Sequence, residues 1–280
     1  MNENSGPIAT VCIPVYNCET YIGQAIESVL AQSFTNLELI ILNNASTDGA
    51  LDVIRKYTDP RMRVINNDTN IGLERNWNKA LVEAHGKYVK LLPADDYLHP
   101  DCLEWQIATL EQPENRSVVL VSCGREIVDP TGKKLIERHF PGKERRIPGH
   151  KAIQMVLSSG TNPLGEPGAI LFKRDVLQCT GAFDGSLAYV IDVDLWLRML
   201  LFGDLYVTHY PHCAFRLSAR SSSVELSSIQ SHHFIRFIQK LSADSRFKVG
   251  FVTHYQGILM SILLGQARRL FYSLTVHNRK

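Results

Sequence analysis

Several chemistries are missing from this chain at the level of motif. It contains no G-x-G-x-x-G and no G-x-x-x-x-G-K-[ST] stretch, so neither the usual dinucleotide-binding turn nor a P-loop is available to cradle a phosphate. The ten histidines form no H-x-x-x-H or H-E-x-x-H pair, which leaves a zinc hydrolase without ligands at the needed spacing. His209, His212, His232 and His233 therefore read as packing or surface residues. The six cysteines (Cys12, Cys18, Cys102, Cys123, Cys179, Cys213) include no C-x-x-C pair and read as reduced, mostly buried thiols of a cytosolic protein. No run approaches the ~18 apolar residues that span a bilayer. The first residues, MNENSGPIATV, show neither the basic flank nor the apolar core of a signal peptide. The expected location is the cytoplasm, extending to the inner face of the membrane. With 30 Lys and Arg against 28 Asp and Glu, the net charge is only +2. No broad basic field exists, and nucleic acid is not an expected partner.

What is present is the composition of an ordinary globular chain: 280 residues, 45% apolar and 21% charged, enough to bury a full core. Two hydrophobic periods alternate over the first hundred residues. ATVCIPV reads as a buried strand, and Tyr21, Ile22, Ala25, Ile26, Val29 and Leu30 then recur at the spacing of one helical face. LELIIL, MRVIN and KYVKLL follow as strands, with ALDVIRKY and WNKALVEAH as helices between them. This βαβαβαβ pattern predicts an α/β fold with a mostly parallel central sheet and helices on both faces. In such sheets ligands bind beyond the carboxyl ends of the strands, where IPVYN, ILNNAS, the Asn67–Asn70 loop and PADD all fall.

Past residue 115 the pattern changes. VVLVSCG and GAILFKR read as strands, AIQMVL and VDLWLRMLL as helices, and YVTHYPHCAFRL as one or two strands. A serine-rich join, SARSSSVELSS, leads into a helical tail holding ILMSILL and then ARRLFY. The expected organisation is a transferase-type domain over 1–222, with halves 1–115 and 116–222, and a helical extension over 223–280. The basic edge of that tail suits either a membrane surface or a second copy.

One stretch carries chemistry directly. In LLPADDYLHP an apolar strand ends and Asp95 and Asp96 stand side by side, where two carboxylates repel by about 1 kcal/mol even in a watery setting. Mg²⁺ or Mn²⁺ favours such hard oxygen donors together with phosphate oxygens. Taken alone, an acidic pair in a loop serves as readily to cap a turn.

The company of the pair decides between these readings. IPVYN, ELIILNNASTDG, NIGLERNWNKALVEAHGKYVKLLPADD, GEPGAILFKRDVLQCTGAFD and VIDVDLWLRM, in this order and spacing, resemble the family 2 glycosyltransferases from residue 8 to about 220. The resemblance implies an A-type glycosyltransferase (GT-A) fold and a metal-dependent, inverting transfer from a nucleotide-diphosphate sugar, with UDP- or dTDP-sugars favoured, to a glycan or lipid-linked acceptor. Surface polysaccharide or lipopolysaccharide synthesis is the implied setting. Carried onto this chain, Pro14 and Tyr16 line the base pocket, Asn43 reads the base, and Asn70 and Arg75 approach the nucleotide. Asp95 faces the ribose and joins Asp96 at the metal. Asp192 is the catalytic base. Glu166, Asp194 and Trp196 belong to the sugar or acceptor pocket, with Asp194 alternatively paired to Arg198 four residues on.

The chain departs from the family pattern at four places. Asn43-Asn44 fills a slot usually holding DD or DN, PADD replaces DADD, Ser218 falls where a histidine often follows the late FR strand, and ED-x-D appears as Ile191-Asp192-Val193-Asp194. Two other readings remain at this stage. One is a non-catalytic nucleotide-sugar-binding protein of the same fold. The other is a nucleotidyltransferase, which needs a lysine- and glycine-rich entry loop that IPVYNCETY lacks.

Overall fold

A computed structural model describes residues 6–217 and 229–275, so Ser218 and most of the serine-rich join lie outside the described residues. The predicted alternation is present: β1 (Ala9–Val15), α1 (Ile22–Leu30), β2 (Leu37–Asn43), α2 (Ala50–Ile54), β3 (Met62–Asn66), α3 (Leu73–Glu83) and β4 (Tyr88–Leu91). There follow β5 (Tyr97–Leu98), α4 (Cys102–Glu111), β6 (Val118–Val128), β7 (Lys134–Arg138), β8 (Arg145–Ile147) and α5 (Gly149–Ser159). The chain continues through β9 (Ile170–Lys173), α6 (Leu177–Thr180), α7 (Ile191–Met199), β10 (Asp204–Arg216), α8 (Gln230–Ala243) and α9 (Phe251–Thr275).

All the strands join one sheet in the order β3-β2-β1-β4-β9-β6-β10-β5, with β7 on β6 and β8 on β10. The expectation of parallel pairing holds for β3, β2, β1 and β4, and again for β6 with β10. The complete sheet is mixed, because β9 runs antiparallel between β4 and β6, and β5, β7 and β8 are antiparallel additions. YVTHYPHCAFRL is one strand, β10, whose register against β6 shifts on both sides of Pro211. A residue without an N–H breaks the ladder locally, so the strand bulges there and then resumes.

Side-chain alternation sends β1 to two cores. Val11, Ile13 and Val15 meet Leu39 and Ile41 of β2, the α1 stripe Ile22-Ala25-Ile26-Val29, and Leu103, Ile107 and Leu110 of α4. Cys12, Ile40 and Leu42 face the other way, toward Ala80 of α3 and the buried sides of α5, α7 and α8. The period of two in strands and 3.6 in helices is thus satisfied on both faces of one sheet. From α8, Phe234, Phe237, Ile238 and Leu241 enter this second core.

The fold places the site through its strand order. The chain steps from β1 outward through β2 and β3, then returns so that β4 pairs the opposite edge of β1. A crevice opens beyond the carboxyl ends at such a reversal. Tyr16 and Pro93 leave their strands there.

Candidate active site

Leu92 still donates to Cys12 O at 2.8 Å, after which Asp96 N closes a turn on Pro93 O at 3.1 Å. The two-residue strand β5 then pairs Tyr97 and Leu98 with Ala214 and Cys213 of β10. That pairing carries Arg216 to the acidic turn. Its backbone N–H donates to Asp96 Oδ1 at 2.8 Å, and its Nε donates to the carbonyl of Asp95 at 3.0 Å. The guanidinium also donates to the carbonyls of Asp129 and Pro130 and to Gln24 Oε1, and lies 4.5 Å from the centre of the Tyr21 ring.

Arg216 is the cation that the adjacent carboxylates call for, yet its side chain is spent on carbonyls and an amide. Burial therefore dominates both acids. It raises the proton affinity of Asp95, and it pushes Asp96 well above the carboxylate range, with the charges of Asp95 and Glu166 adding to the effect and Arg216 opposing it. Asp96 is 2% exposed.

A second acidic group comes from α7 and the loop before β9. Asp192 lies in the first turn of α7, where Val193 N–H donates to its Oδ1 at 2.8 Å and Asn162 Nδ2 reaches Oδ2 at 3.3 Å. Val190 is the N-cap, so Asp192 is not itself the cap. Burial raises its pKa to about 7, the charge of Glu166 works in the same direction, and the Val193 N–H and Arg125 oppose both. Glu166 pairs with Arg125 Nε. Arg125 is 3% exposed, and its Nη1 is buried without a partner among the described residues.

The segment bearing Glu166 runs irregularly through the interior, so its carbonyls must find side-chain donors. Ser122 Oγ reaches Leu164 O at 2.6 Å, Asn162 Nδ2 reaches Gly165 O at 2.9 Å, and Gln106 Nε2 reaches Ala169 O at 2.9 Å. Lys90, fully buried in β4, donates to Gly168 O at 2.6 Å and Ile170 O at 3.1 Å. Gly165 has φ of +107°, and a Cβ there would stand 2.8 Å from that of Ala169. Only glycine takes this turn without strain.

The residues expected to meet a nucleotide lie at the carboxyl ends of β1 and β2, in the loop after β3 and in the first turn of α3. Pro14 is half-buried in β1, and Tyr16, 49% exposed, follows the strand. Asn43 is buried, donating to Asn66 Oδ1 at 3.0 Å and accepting from Ser46 N at 3.1 Å. Asn44 donates to Asn70 Oδ1 at 2.8 Å and accepts from Asn67 Nδ2 at 3.0 Å and Ile71 N at 3.0 Å. The amides of these loops thus brace one another. Arg75, in the first turn of α3, is exposed.

Two residues expected at the sugar or acceptor pocket, Trp196 and Asp194, make packing and ionic contacts. Trp196 is 0% exposed and packs against Phe172 and Phe183 at ring distances of 5.2 and 5.9 Å. It lies four positions from Asp192 on α7, and its indole Nε1 is buried without a hydrogen-bond partner among the described residues. Asp194, two positions on and so turned to another side of the helix, binds Arg198 at 2.7 Å and Lys240 of α8 at 3.0 Å. Arg198 in turn holds the carbonyls of Thr180 and Ala182. The Asp194–Arg198 pair follows the four-residue spacing read from the sequence. Asp194→Asn should therefore cost about 1–3 kcal/mol of stability by urea unfolding, since it leaves two cations partly unanswered, and should leave kcat within about threefold of the parent. His212 stacks on Trp105 at 5.1 Å and His139 on His209 at 4.1 Å, so these imidazoles pack.

Sequence reasoning missed Arg216, Arg125, Asn162 and Lys90. For Arg216, Arg125 and Lys90 the one visible signal is a polar residue inside or at the end of an otherwise apolar strand; Asn162, in the irregular segment between α5 and β9, has none. Among the described residues, no group of three or more His, Cys, Asp or Glu is arranged to hold a metal.

A sheet whose order reverses beside β1, with paired aspartates leaving β4 and a further buried aspartate in the first turn of α7, has the architecture of the GT-A class. The family model for glycosyl transferase family 2 matches residues 10–181, and the chain belongs to that family as a glycosyltransferase. It is 32% identical over 203 residues to the putative glycosyltransferase EpsE of Bacillus subtilis, a match covering 70% of this chain and 67% of that relative. The fold is shared with S. aureus TarS 1–349 in complex with UDP-GlcNAc, at a TM-score of 0.66 and 18% identity over 96% of this chain and 76% of that one. The mannosyltransferase PcManGT of Pyrobaculum calidifontis, in complex with GDP-Man and Mn²⁺, superposes at a TM-score of 0.64 with 19% identity over 95% of this chain and 76% of that one.

Proposed function

We propose that this glycosyltransferase moves a sugar from a nucleoside-diphosphate donor to a hydroxyl of a glycan or glycolipid acceptor, with inversion and with a divalent ion at the Asp95–Asp96 turn. The observation that carries the reading is the shared influence of Glu166. Its segment is tied to Asp192 through Asn162, which donates to Gly165 O and to Asp192 Oδ2, and its charge adds to the burial that raises the proton affinity of both Asp96 and Asp192, which supports reading these carboxyls as one acidic site. The donors seen with TarS and PcManGT, UDP-GlcNAc and GDP-Man, support a nucleotide sugar as a class.

The residues fit a hard cation. Asp95 and Asp96 are adjacent oxygen donors, both raised by burial and answered only in part by Arg216. A bound Mg²⁺ or Mn²⁺ supplies positive charge to the leaving diphosphate. The remaining work falls to the chain itself. Asp192 takes the acceptor proton, on the sugar face opposite the diphosphate. Tyr16 and Pro14 offer apolar faces to the base, and Arg75 and Asn70 approach the phosphates and ribose. Glu166, part-exposed and held by Arg125, suits sugar hydroxyls.

Transfer assays over a panel of nucleotide sugars, with Mn²⁺ and with EDTA, test the reading. Donor-dependent transfer lost in EDTA is the expected result, and donor binding without any turnover would overturn it. The base is addressed separately. Asn43→Asp should fold with little change in melting temperature, because Ser46 N–H still finds an acceptor and the Asn66 amide can turn to donate. It should keep or tighten binding of uridine or thymidine donors in calorimetric titration; a native preference for guanosine donors would refute this choice of base.

A further inference from the structure

Helix α9 is uncharged from Phe251 to Ala267 and presents two different faces. Gly257, Ser261 and Gly265, four residues apart, make the first. A Cβ on Gly257 would lie 2.2 Å from Leu157 O, and one on Gly265 would lie 1.8 Å from Ser231 Oγ. Ser261 Oγ donates to Gly160 O at 3.1 Å. The small residues let α9 seat closely against α5 and α8.

The second face is large, apolar and exposed. Phe251, Val252, Tyr255, Leu259, Ile262 and Leu263 follow one another along the helix at exposures of 44% to 76%. A helix apolar on both sides needs cover on both. Among the described residues no helix is long and apolar enough to cross a membrane.

Charge selects the occupant. Asp244 answers Arg246 at 2.6 Å, but beyond that pair the sequence to residue 280 holds Lys248, Arg268, Arg269, Arg279 and Lys280 and no aspartate or glutamate, although the chain has 28 acidic residues. A two-fold contact of this helix with a second copy would bring cations to cations with no carboxylate in the segment to answer them. An anionic lipid surface offers both an apolar phase and the opposite charge. We propose that α9 lies in the plane of an anionic bilayer surface, with the Phe251–Leu263 stripe at the headgroup–acyl boundary.

Binding of this kind needs neither donor nor metal, so its test is independent of the sugar-transfer reading. The full chain is floated with phosphatidylcholine vesicles, with and without phosphatidylglycerol, at low and high salt. It should rise only with the anionic vesicles, and less so at high salt, where the cations are screened. Leu259→Glu together with Leu263→Glu should lower the bound fraction at least tenfold, an order-of-magnitude loss, at unchanged melting temperature and unchanged donor hydrolysis. Native protein that ignores anionic vesicles, or a double variant that binds as well as the parent, overturns the proposal. A concentration-dependent dimer in light scattering that the double variant abolishes would assign the stripe to a second copy instead.

Discussion

Asp96→Asn should reduce sugar transfer to background while the protein stays folded. The substitution keeps an oxygen to accept the Arg216 N–H, found at 2.8 Å from Asp96 Oδ1, and removes only the charge. Asp96→Ala removes the acceptor as well, leaving a buried N–H unsatisfied at a cost of about 1–3 kcal/mol. A fall in melting temperature confined to the alanine variant separates this structural bond from the chemistry. Burial already raises the proton affinity of Asp96, so its charge opposes folding as the pH rises, and asparagine relieves that opposition. Donor binding by the asparagine variant should no longer respond to Mn²⁺. Turnover by the variant, or native turnover undiminished in EDTA, would sink the metal assignment.

Asp192→Asn is the second large effect. A positioned base is worth roughly 10²- to 10⁴-fold in kcat, and this loss should come with donor and metal affinity nearly intact. The pH dependence gives an independent readout. With Asp192 raised to about 7 from the ordinary aspartate range, the native carboxyl keeps its proton where the unfolded chain has released it. Stability contributed by that proton is present in full below the unfolded pKa and is lost as the pH rises through the folded one. The variant should therefore be more stable than its parent above pH 7, by up to about 4 kcal/mol, and the gain should disappear toward pH 4. Native kcat/KM should show an acidic limb near pH 7. Transfer at the native rate by Asp192→Asn, with Asp194→Asn folded and inactive, would reverse the two roles.

The assignment of those two neighbours shows where local reasoning stops. The i to i+4 spacing of Asp194 and Arg198 offered their pairing as an alternative to a pocket role, and the pair is present. That Lys240 of α8 takes the other Asp194 oxygen, while Asn162 donates to Asp192, depends on segments 30 or more residues away. Trp196 reads as a pocket residue from its motif, but packing against Phe172 and Phe183 encloses it.

By itself the sequence determined the alternation of β1 to β4 with α1 to α3, the parallel half of the sheet, and the emergence of Asp95 and Asp96 at a strand end. These follow from periodicity and chain reach, which act over a few residues. The edge strands β7 and β8 were illegible because neither face is an apolar row: Lys134–Arg138 and Arg145–Ile147 are mostly polar and bury little. Only the tertiary structure decided that Arg216 closes on the acidic turn 120 residues before it, that Glu166 acts on Asp96 and Asp192 together, and that α9 leaves a large apolar face uncovered. Each of these depends on which distant surfaces meet once the sheet has closed. No local pattern encodes that, because burial and electrostatic coupling belong to neighbours in space rather than in sequence.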